Sequence, residues 1–146
     1  MPFILKFNSK KFHITNSETN EEAKFVVLGN GTIAKIGFDP STKQQCLEML
    51  LITCGLESPI TNQGIFYLNS NPIIYATVAN AVLLICDPLG DPKALRIVAG
   101  DRNYIINNGG IMFCENNQMI TTSTTGSVKK WSLDLFGQAK LIGILN

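Results

Sequence analysis

The sequence has few of the residues from which metal sites and ionic surfaces are built. It contains a single histidine, His13, and four cysteines with no CxxC spacing, so it lacks the close ligand pairs of a zinc site. Only 16% of the residues are charged, and the net charge is +1. The densest cationic positions, Lys10–Lys11 and Lys129–Lys130, form no basic stripe for phosphates. The sequence therefore predicts no metal, no cofactor and no nucleic-acid partner.

Long apolar runs are also missing. Lys6 interrupts the apolar N-terminal stretch, and the longest run elsewhere, Ala79–Cys86, contains Asn80 and ends at Asp87–Pro88. A membrane-spanning helix needs about 20 consecutive apolar residues, and a secretory signal needs an uninterrupted apolar segment. Neither a secretory signal nor a membrane partner is predicted.

The cysteines favour a reducing compartment. Cys46 and Cys54 are eight residues apart, which is about 12 Å of rise on the helix predicted below and too far for a disulfide. We therefore expect free thiols at these positions and at Cys86 and Cys114. The predicted location is the cytoplasm, either of the protein's own cell or of a host cell into which the protein is delivered.

Apolar residues, by contrast, are plentiful. A chain of 146 residues that is 45% hydrophobic predicts a single globular domain over residues 1–146. Short stretches with β-strand character recur every eight to twelve residues between turn signals, which is typical of an antiparallel sandwich or partly open barrel. The predicted strands are Phe3–Phe7, Lys11–Thr15, Phe25–Leu28, Thr32–Phe38, Gly64–Leu68, Ile73–Val78, Ala94–Ala99, Asn103–Ile106, Ile111–Cys114, Met119–Thr122, Ser127–Leu133 and Lys140–Leu145.

One helix is predicted near residues 42–54. Asp39 can cap it with Pro40 in the first turn, or Ser41 can cap it with Gln44 closing a capping box. Gly55 is suited to end it. Its apolar face would consist of Cys46, Leu47, Leu50, Leu51 and Cys54. The predicted fold class is therefore α+β, predominantly antiparallel β, with one helix packed against the sheet.

The segment Ala81–Cys86 is ambiguous. Val, Leu and Ile before an Asp–Pro break favour a buried strand, but the same residues can extend a helix. A helix over Tyr75–Ile85 would support the alternative fold, a profilin-like or roadblock-like sheet with flanking helices.

Two short motifs match enzyme signatures but are better explained as hairpins. Gly29–Ala34 reads G-x-G-x-x-A, yet Asp39–Pro40 would cut the helix that a dinucleotide site requires, and Asn30–Gly31 favours a hairpin turn. Ser127–Lys130 reads S-x-x-K, but the alternation through Trp131 predicts a strand, on which residues three apart point to opposite faces.

The stretch Met119–Asp134 resembles the inner strands of one blade of a WD-repeat propeller. The resemblance covers about sixteen residues and does not include the Gly-His dipeptide of that family. A blade takes about forty to forty-five residues, so the chain would hold little more than three, which is too few to close a propeller. The stretch is interpreted as a hairpin that carries Trp131, and membership of the family is not inferred.

Three acidic residues lie in predicted turns. Asp87 and Asp91 are four positions apart in a tight turn, and Asp101 lies in another, Gly100–Arg102. Calcium takes six or more oxygen ligands, which these turns do not supply. Their predicted role is to hold their own turns through backbone hydrogen bonds.

The favoured function is a non-catalytic protein-interaction module of the adaptor, inhibitor or pathogen or viral effector type. It would bind a protein partner through a sheet edge or an apolar patch. The alternative is a small cysteine-dependent enzyme or ligand-binding domain, in which His13 would activate Cys86 or Cys114, or the turn acids Asp87, Asp91 and Asp101 would act. The sequence inclines against catalysis and leaves the oligomeric state open.

Overall fold

The computed structural model describes residues 2–28, 32–52, 59–134 and 138–145, and these form β-structure throughout, without a helix. Thirteen strands make three antiparallel sheets. The first sheet contains β1 (Phe3–Asn8), β2 (Lys11–Asn16), β3 (Glu22–Val27), β4 (Ile33–Phe38) and β5 (Gln45–Ile52). The middle sheet contains β6 (Ile60–Leu68), β7 (Asn71–Val78), β8 (Ala81–Cys86) and β9 (Lys93–Val98). The third sheet contains β10 (Ile106–Cys114), β11 (Gln118–Ser123), β12 (Val128–Leu133) and β13 (Ala139–Ile144).

Each sheet is a meander in which every strand pairs with the next one along the chain. The register follows from the alternation of the sequence. On β2, for example, Phe12 and Ile14 are buried while Lys11 is exposed and His13 is half-buried. Because side chains on a strand alternate between its two sides, each sheet has two faces. We call the face that points in the direction from the first sheet to the third the forward face, and the opposite face the back face.

The middle sheet is covered on both faces. One core cluster joins it to the first sheet through residues such as Phe25, Ile74 and Leu83. A second cluster joins it to the third sheet through residues such as Leu84 and Trp131. Two-sided burial explains the unbroken apolar run of β8, since both of its faces need apolar side chains.

The middle and third sheets are repeats of one unit. β10 begins 46 residues after β6, β11 begins 47 after β7, β12 begins 47 after β8, and β13 begins 46 after β9. Part of the sequence recurs with this spacing: Ile60, Asn62, Gly64 and Ile65 correspond to Ile106, Asn108, Gly110 and Ile111. The turns after the third strands correspond as well. The Asp87 carboxylate accepts a hydrogen bond from the N–H of Asp91, and the Asp134 carboxylate accepts one from Gln138.

The predicted helix near residues 42–54, and with it the α+β fold class, is wrong. Residues 45–52 form β5, which pairs antiparallel with β4. The capping chemistry of Asp39 is present, because its carboxylate accepts hydrogen bonds from the Ser41 N–H and hydroxyl and from the Thr42 N–H, and these bonds hold its pKa below the usual range. They close a single turn, after which Lys43 takes a left-handed conformation with φ of 57°. The chain then reverses into β5. Cys54 and Gly55 lie outside the described residues.

The alternative fold with flanking helices is also wrong. Residues 75–85 form parts of β7 and β8, joined by a tight turn at Ala79 and Asn80. Most of the other predicted strands are confirmed, but the predicted strand Asn103–Ile106 is wrong except at Ile106, because Asn103 lies in a turn and β10 begins at Ile106. The predicted turn Asn107–Gly110 is also wrong, since it lies inside β10, at an irregularity in its pairing with β11.

The three motif regions are hairpins where the structure describes them. β3 pairs antiparallel with β4 across Gly29–Gly31, which lie outside the described residues. Ser127–Lys130 and the longer stretch Met119–Asp134 belong to the β11–β12 hairpin, at the centre of the third sheet.

Candidate functional site

His13 lies on the back face of the first sheet. Its neighbours on β2, Phe12 and Ile14, point forward into the core, so the imidazole points away from the middle sheet. Its Nε2 lies 3.0 Å from a carboxylate oxygen of Glu22 on β3, at a solvent-exposed position. The pair joins two neighbouring strands on an open surface.

The structure does not bring His13 to either candidate cysteine. Cys86 lies on the forward face of the middle sheet, against the cluster shared with the third sheet. Cys114 alternates with Phe113 and so lies on the forward face of the third sheet. Since stacked sheets pack about 10 Å apart, at least one whole sheet separates His13 from each thiol.

We expect the Cys86 thiol to react slowly. Burial, and to a smaller extent the nearby carboxylates of Asp134 and Asp87, raise its pKa above the ordinary value. The thiolate is the nucleophile, so iodoacetamide at neutral pH should alkylate Cys86 about tenfold or more slowly than the exposed Cys46. Residue-resolved mass spectrometry measures both rates, and the same labelling in urea should bring them together. Faster alkylation of Cys86 than of Cys46 in the folded protein would support the thiol-enzyme alternative.

Asp87 and Asp101 stabilise the turns in which they lie. The Asp87 carboxylate accepts the Asp91 N–H at 2.8 Å, and the Asp101 carboxylate accepts the Asn103 N–H at 2.8 Å. Within the described ranges, no three His, Cys, Asp or Glu side chains are grouped closely enough to hold a metal ion.

A cleft with a volume of about 610 Å³, which we call the main cleft, lies beside the forward face of the middle sheet. Leu68, Ile73 and Leu95 form part of its apolar wall, and Asp87 and Lys93 are among the polar residues around it. Both charged side chains are exposed, and the Asp87 carboxylate is engaged in its own turn. The cleft therefore offers apolar contact area, and the partly buried Cys86 thiol also lines it, with no histidine among the lining residues.

A polar clamp joins the middle sheet to the third. The Asn62 amide nitrogen donates to the Thr77 hydroxyl at 2.6 Å and to the Asn107 carbonyl at 3.0 Å. The Asn62 amide oxygen accepts a short hydrogen bond from the Gly109 N–H. Gly109 has φ of 77°, a conformation that favours glycine. The irregular part of β10 is thus shaped to receive one side chain from β6. Sequence reasoning missed this clamp, because it joins residues 45 or more positions apart.

A second polar network lies inside the third sheet. The Trp131 indole N–H donates to the Thr121 hydroxyl at 3.0 Å, and the Tyr104 hydroxyl lies 3.1 Å from that same oxygen. The Lys129 ammonium lies 4.4 Å from the centre of the Tyr104 ring and donates to the Ala99 carbonyl. These contacts tie the segment before β10 to the two central strands of the sheet, and their role is structural.

Exposed apolar side chains concentrate at the two ends of the stack. Ten large apolar residues in the described ranges are well exposed, and only Val98 belongs to the middle sheet. The others are Ile4, Phe38, Leu47 and Met49 in the first sheet, and Met112, Leu141, Ile142, Ile144 and Leu145 in the third sheet or just after it. The four at positions 141–145 form what we call the β13 patch.

The β13 patch lies on an unprotected sheet edge. β13 is the last strand of its sheet, so within the part of the chain that the structure describes no strand pairs with its outer side. The edge strand of the middle sheet, β9, carries two exposed charged residues, Lys93 and Arg96. Natural proteins use charged residues to keep edge strands from pairing with other chains, and β13 carries only Lys140.

Comparisons with known proteins gave no match to a protein-family model, to a curated protein or to a solved structure. In the part of the chain that the structure describes, no helix is long and apolar enough to cross a membrane.

Proposed function

We propose that this protein is a non-catalytic protein-interaction module whose partner binds at the β13 patch. The observation that carries the proposal is the run of four exposed large apolar side chains within five residues, on the open edge of the third sheet. Exposed apolar side chains on an open strand edge are characteristic of interaction sites. An adaptor, an inhibitor or a pathogen or viral effector would use such a surface in the same way.

The chemistry of the patch suits a β-rich partner. An unpaired edge offers backbone N–H and C=O groups, which give affinity when another strand adds to the sheet. The exposed side chains of Leu141, Ile142 and Ile144 supply the apolar contacts that give specificity.

Ile142→Lys should weaken partner binding about tenfold or more, because it places a charge where the interface must be dry. Val98→Lys is the matched control: Val98 is 48% exposed and Ile142 is 47% exposed, and both lie on edge strands. We expect Val98→Lys to change affinity less than about twofold.

The experiment has two stages. A photo-crosslinking amino acid at position 142 or 98 first identifies, by mass spectrometry, the proteins captured in extracts of cells that express the chain. A protein captured only from position 142 is then purified and titrated against the wild type and both lysine variants. Equal loss of affinity in both variants, or none in either, would contradict binding at the β13 patch.

The alternative is a small cysteine-dependent enzyme or ligand-binding domain. One observation supports it, because Cys86 is among the residues lining the main cleft. The labelling experiment on Cys86 and Cys46 tests its catalytic form directly.

A further inference from the structure

The stack has two uncovered end faces. The first sheet covers the back face of the middle sheet, and the third sheet covers its forward face. Among the described residues, no sheet covers the back face of the first sheet or the forward face of the third. Nearly all the exposed large apolar residues lie on these end sheets, which indicates that the stack itself leaves apolar surface to be covered.

The internal repeat indicates what kind of element would cover the third sheet. The forward face of the middle sheet is covered by a four-stranded meander, and the third sheet repeats the middle sheet with an offset of 46 or 47 residues. Asn62 anchors that meander through the irregular part of β10. Asn108 of the third sheet is the repeat equivalent of Asn62. It is exposed, so its side chain is accessible to a sheet that packs on the forward face.

The stacking direction defines which strands would face each other. β6 contacts both β1 and β10, while β5 contacts β9, so the first strands of the sheets lie on one side and the last strands on the other. A molecule added in the same manner would place its β1 against β10 and its β5 against β13.

The two end faces match when they are aligned in this way. On β10, exposed Met112 would face exposed Ile4 of β1. At the other edge, β13 would lie against Leu47 and Phe38, which are on the back face of the first sheet, and Ile142 is the exposed apolar residue at the irregularity in the β12–β13 pairing. Apolar surface would then meet apolar surface at both edges.

Charged residues lie between these edges on both faces. On the third sheet the forward face carries Lys130, whose neighbour across the β11 pairing is Ile120. β12 would face the region of β3, where Glu22 and Lys24 both lie on the back face, so Glu22 is the acid within that region that Lys130 could pair with.

We propose that the partner of the third sheet is a second copy of this chain, and that two copies close a ring of six stacked sheets. Four-stranded antiparallel meanders stacked in this way build β-propellers, which close with about four to eight sheets, so three cannot close and six can. A twofold axis makes the two junctions identical, and twofold dimers are the commonest protein oligomers. This inference rests on the proposed function, because Ile142 of the β13 patch takes part in both contacts, but in the ring the sheets meet face to face and not by strand addition.

Mass measurement by light scattering after gel filtration tests the proposal over a hundredfold range of protein concentration. The wild type should show twice the chain mass of 16.0 kDa, with no larger species as the concentration rises. Ile142→Lys and Leu47→Glu should each raise the dimer dissociation constant about tenfold or more. Val98→Lys should leave it unchanged, and far-UV circular dichroism should show that all variants are folded.

The double variant Ile142→Lys/Leu47→Glu tests the facing of the two sheets. It should recover the dimer, because each introduced lysine would lie against an introduced glutamate of the other copy. Failure to recover, growth of open chains beyond the dimer, or a monomeric wild type at every concentration overturns the proposal.

Two outcomes distinguish a failure of the six-sheet ring from a failure of the interaction module. A monomeric wild type that still binds another protein through position 142 overturns the six-sheet ring and supports the interaction module. A dimer that depends on Ile142, with only a second copy crosslinked at that position, supports the ring and overturns the adaptor function.

Discussion

Alanine at either of two neighbouring positions, Leu83 or Leu84, is expected to lower the free energy of unfolding by about 2–5 kcal/mol. Both side chains are at most 2% exposed, but they lie in different cores. Leu83 belongs to the cluster between the first and middle sheets, and Leu84 to the cluster between the middle and third sheets. Each substitution would remove three carbon atoms from a closely packed interior and leave a cavity there.

Urea unfolding followed by far-UV circular dichroism measures both variants. The control is the edge strand β9. Val98 is 48% exposed and Ile97 packs in the core, so Val98→Ala should cost within about 0.5 kcal/mol while Ile97→Ala costs clearly more. A cost below about 1 kcal/mol for either Leu83→Ala or Leu84→Ala would mean that one face of the middle sheet is not a core, contrary to the three-layer stack.

These two leucines also show what the sequence could predict. The unbroken apolar run Ala81–Ile85 carries no period, and a strand buried on both faces and a buried helix both produce such a run. The Asp–Pro break favoured a strand, and the structure confirms it. The sequence does not reveal that two other sheets supply the covering surfaces, because those contacts join distant parts of the chain.

The wrong helix has a physical origin in the bulges of β5. Ala34 pairs with Leu50 and Lys35 with Met49, but the next pair joins Ile36 to Leu47, so Glu48 is an extra residue. An extra residue changes the two-residue period of a strand locally into a three-residue spacing, which imitates a helical face. The Asp39 turn adds to the imitation, since an aspartate that caps a helix and one that closes a hairpin turn make the same kind of bonds.

The candidate interaction surface was only partly predictable. The sequence Leu141–Leu145 is visibly apolar, and its strand was predicted. Its exposure depends on β13 being the last strand of the third sheet, which is a property of topology rather than of local pattern. The Asn62 clamp and the repeat of the sheets were hidden for the same reason, since only a few residues mark the equivalence.

The second large effect is expected at Trp131, the only tryptophan of the chain. Trp131→Ala should lower the free energy of unfolding by about 3–5 kcal/mol, because the indole is 7% exposed within the core shared by the middle and third sheets. The substitution also removes the tryptophan fluorescence, so circular dichroism must report the unfolding of every variant.

Two milder variants separate the packing of the indole from its hydrogen bond. Thr121→Val keeps the shape of the side chain but removes the hydroxyl that accepts from the Trp131 N–H, and should cost about 1–3 kcal/mol. Trp131→Phe keeps an aromatic ring, loses the N–H donor and leaves part of the indole volume unfilled.

The double variant Thr121→Val/Trp131→Phe distinguishes a shared bond from two independent losses. If the bond between them stabilises the sheet, the double variant should cost less than the two single variants added together, since no unpaired N–H then remains in the core. Thr121→Val should not leave the Tyr104 hydroxyl unpaired, because that hydroxyl also donates to the Thr121 carbonyl at 3.0 Å. The coupling between the two substitutions therefore reports on the Trp131–Thr121 bond. If the free-energy costs of the two single variants simply add up to that of the double variant, Trp131 stabilises the sheet by packing alone, and its hydrogen bond to Thr121 does not contribute to stability.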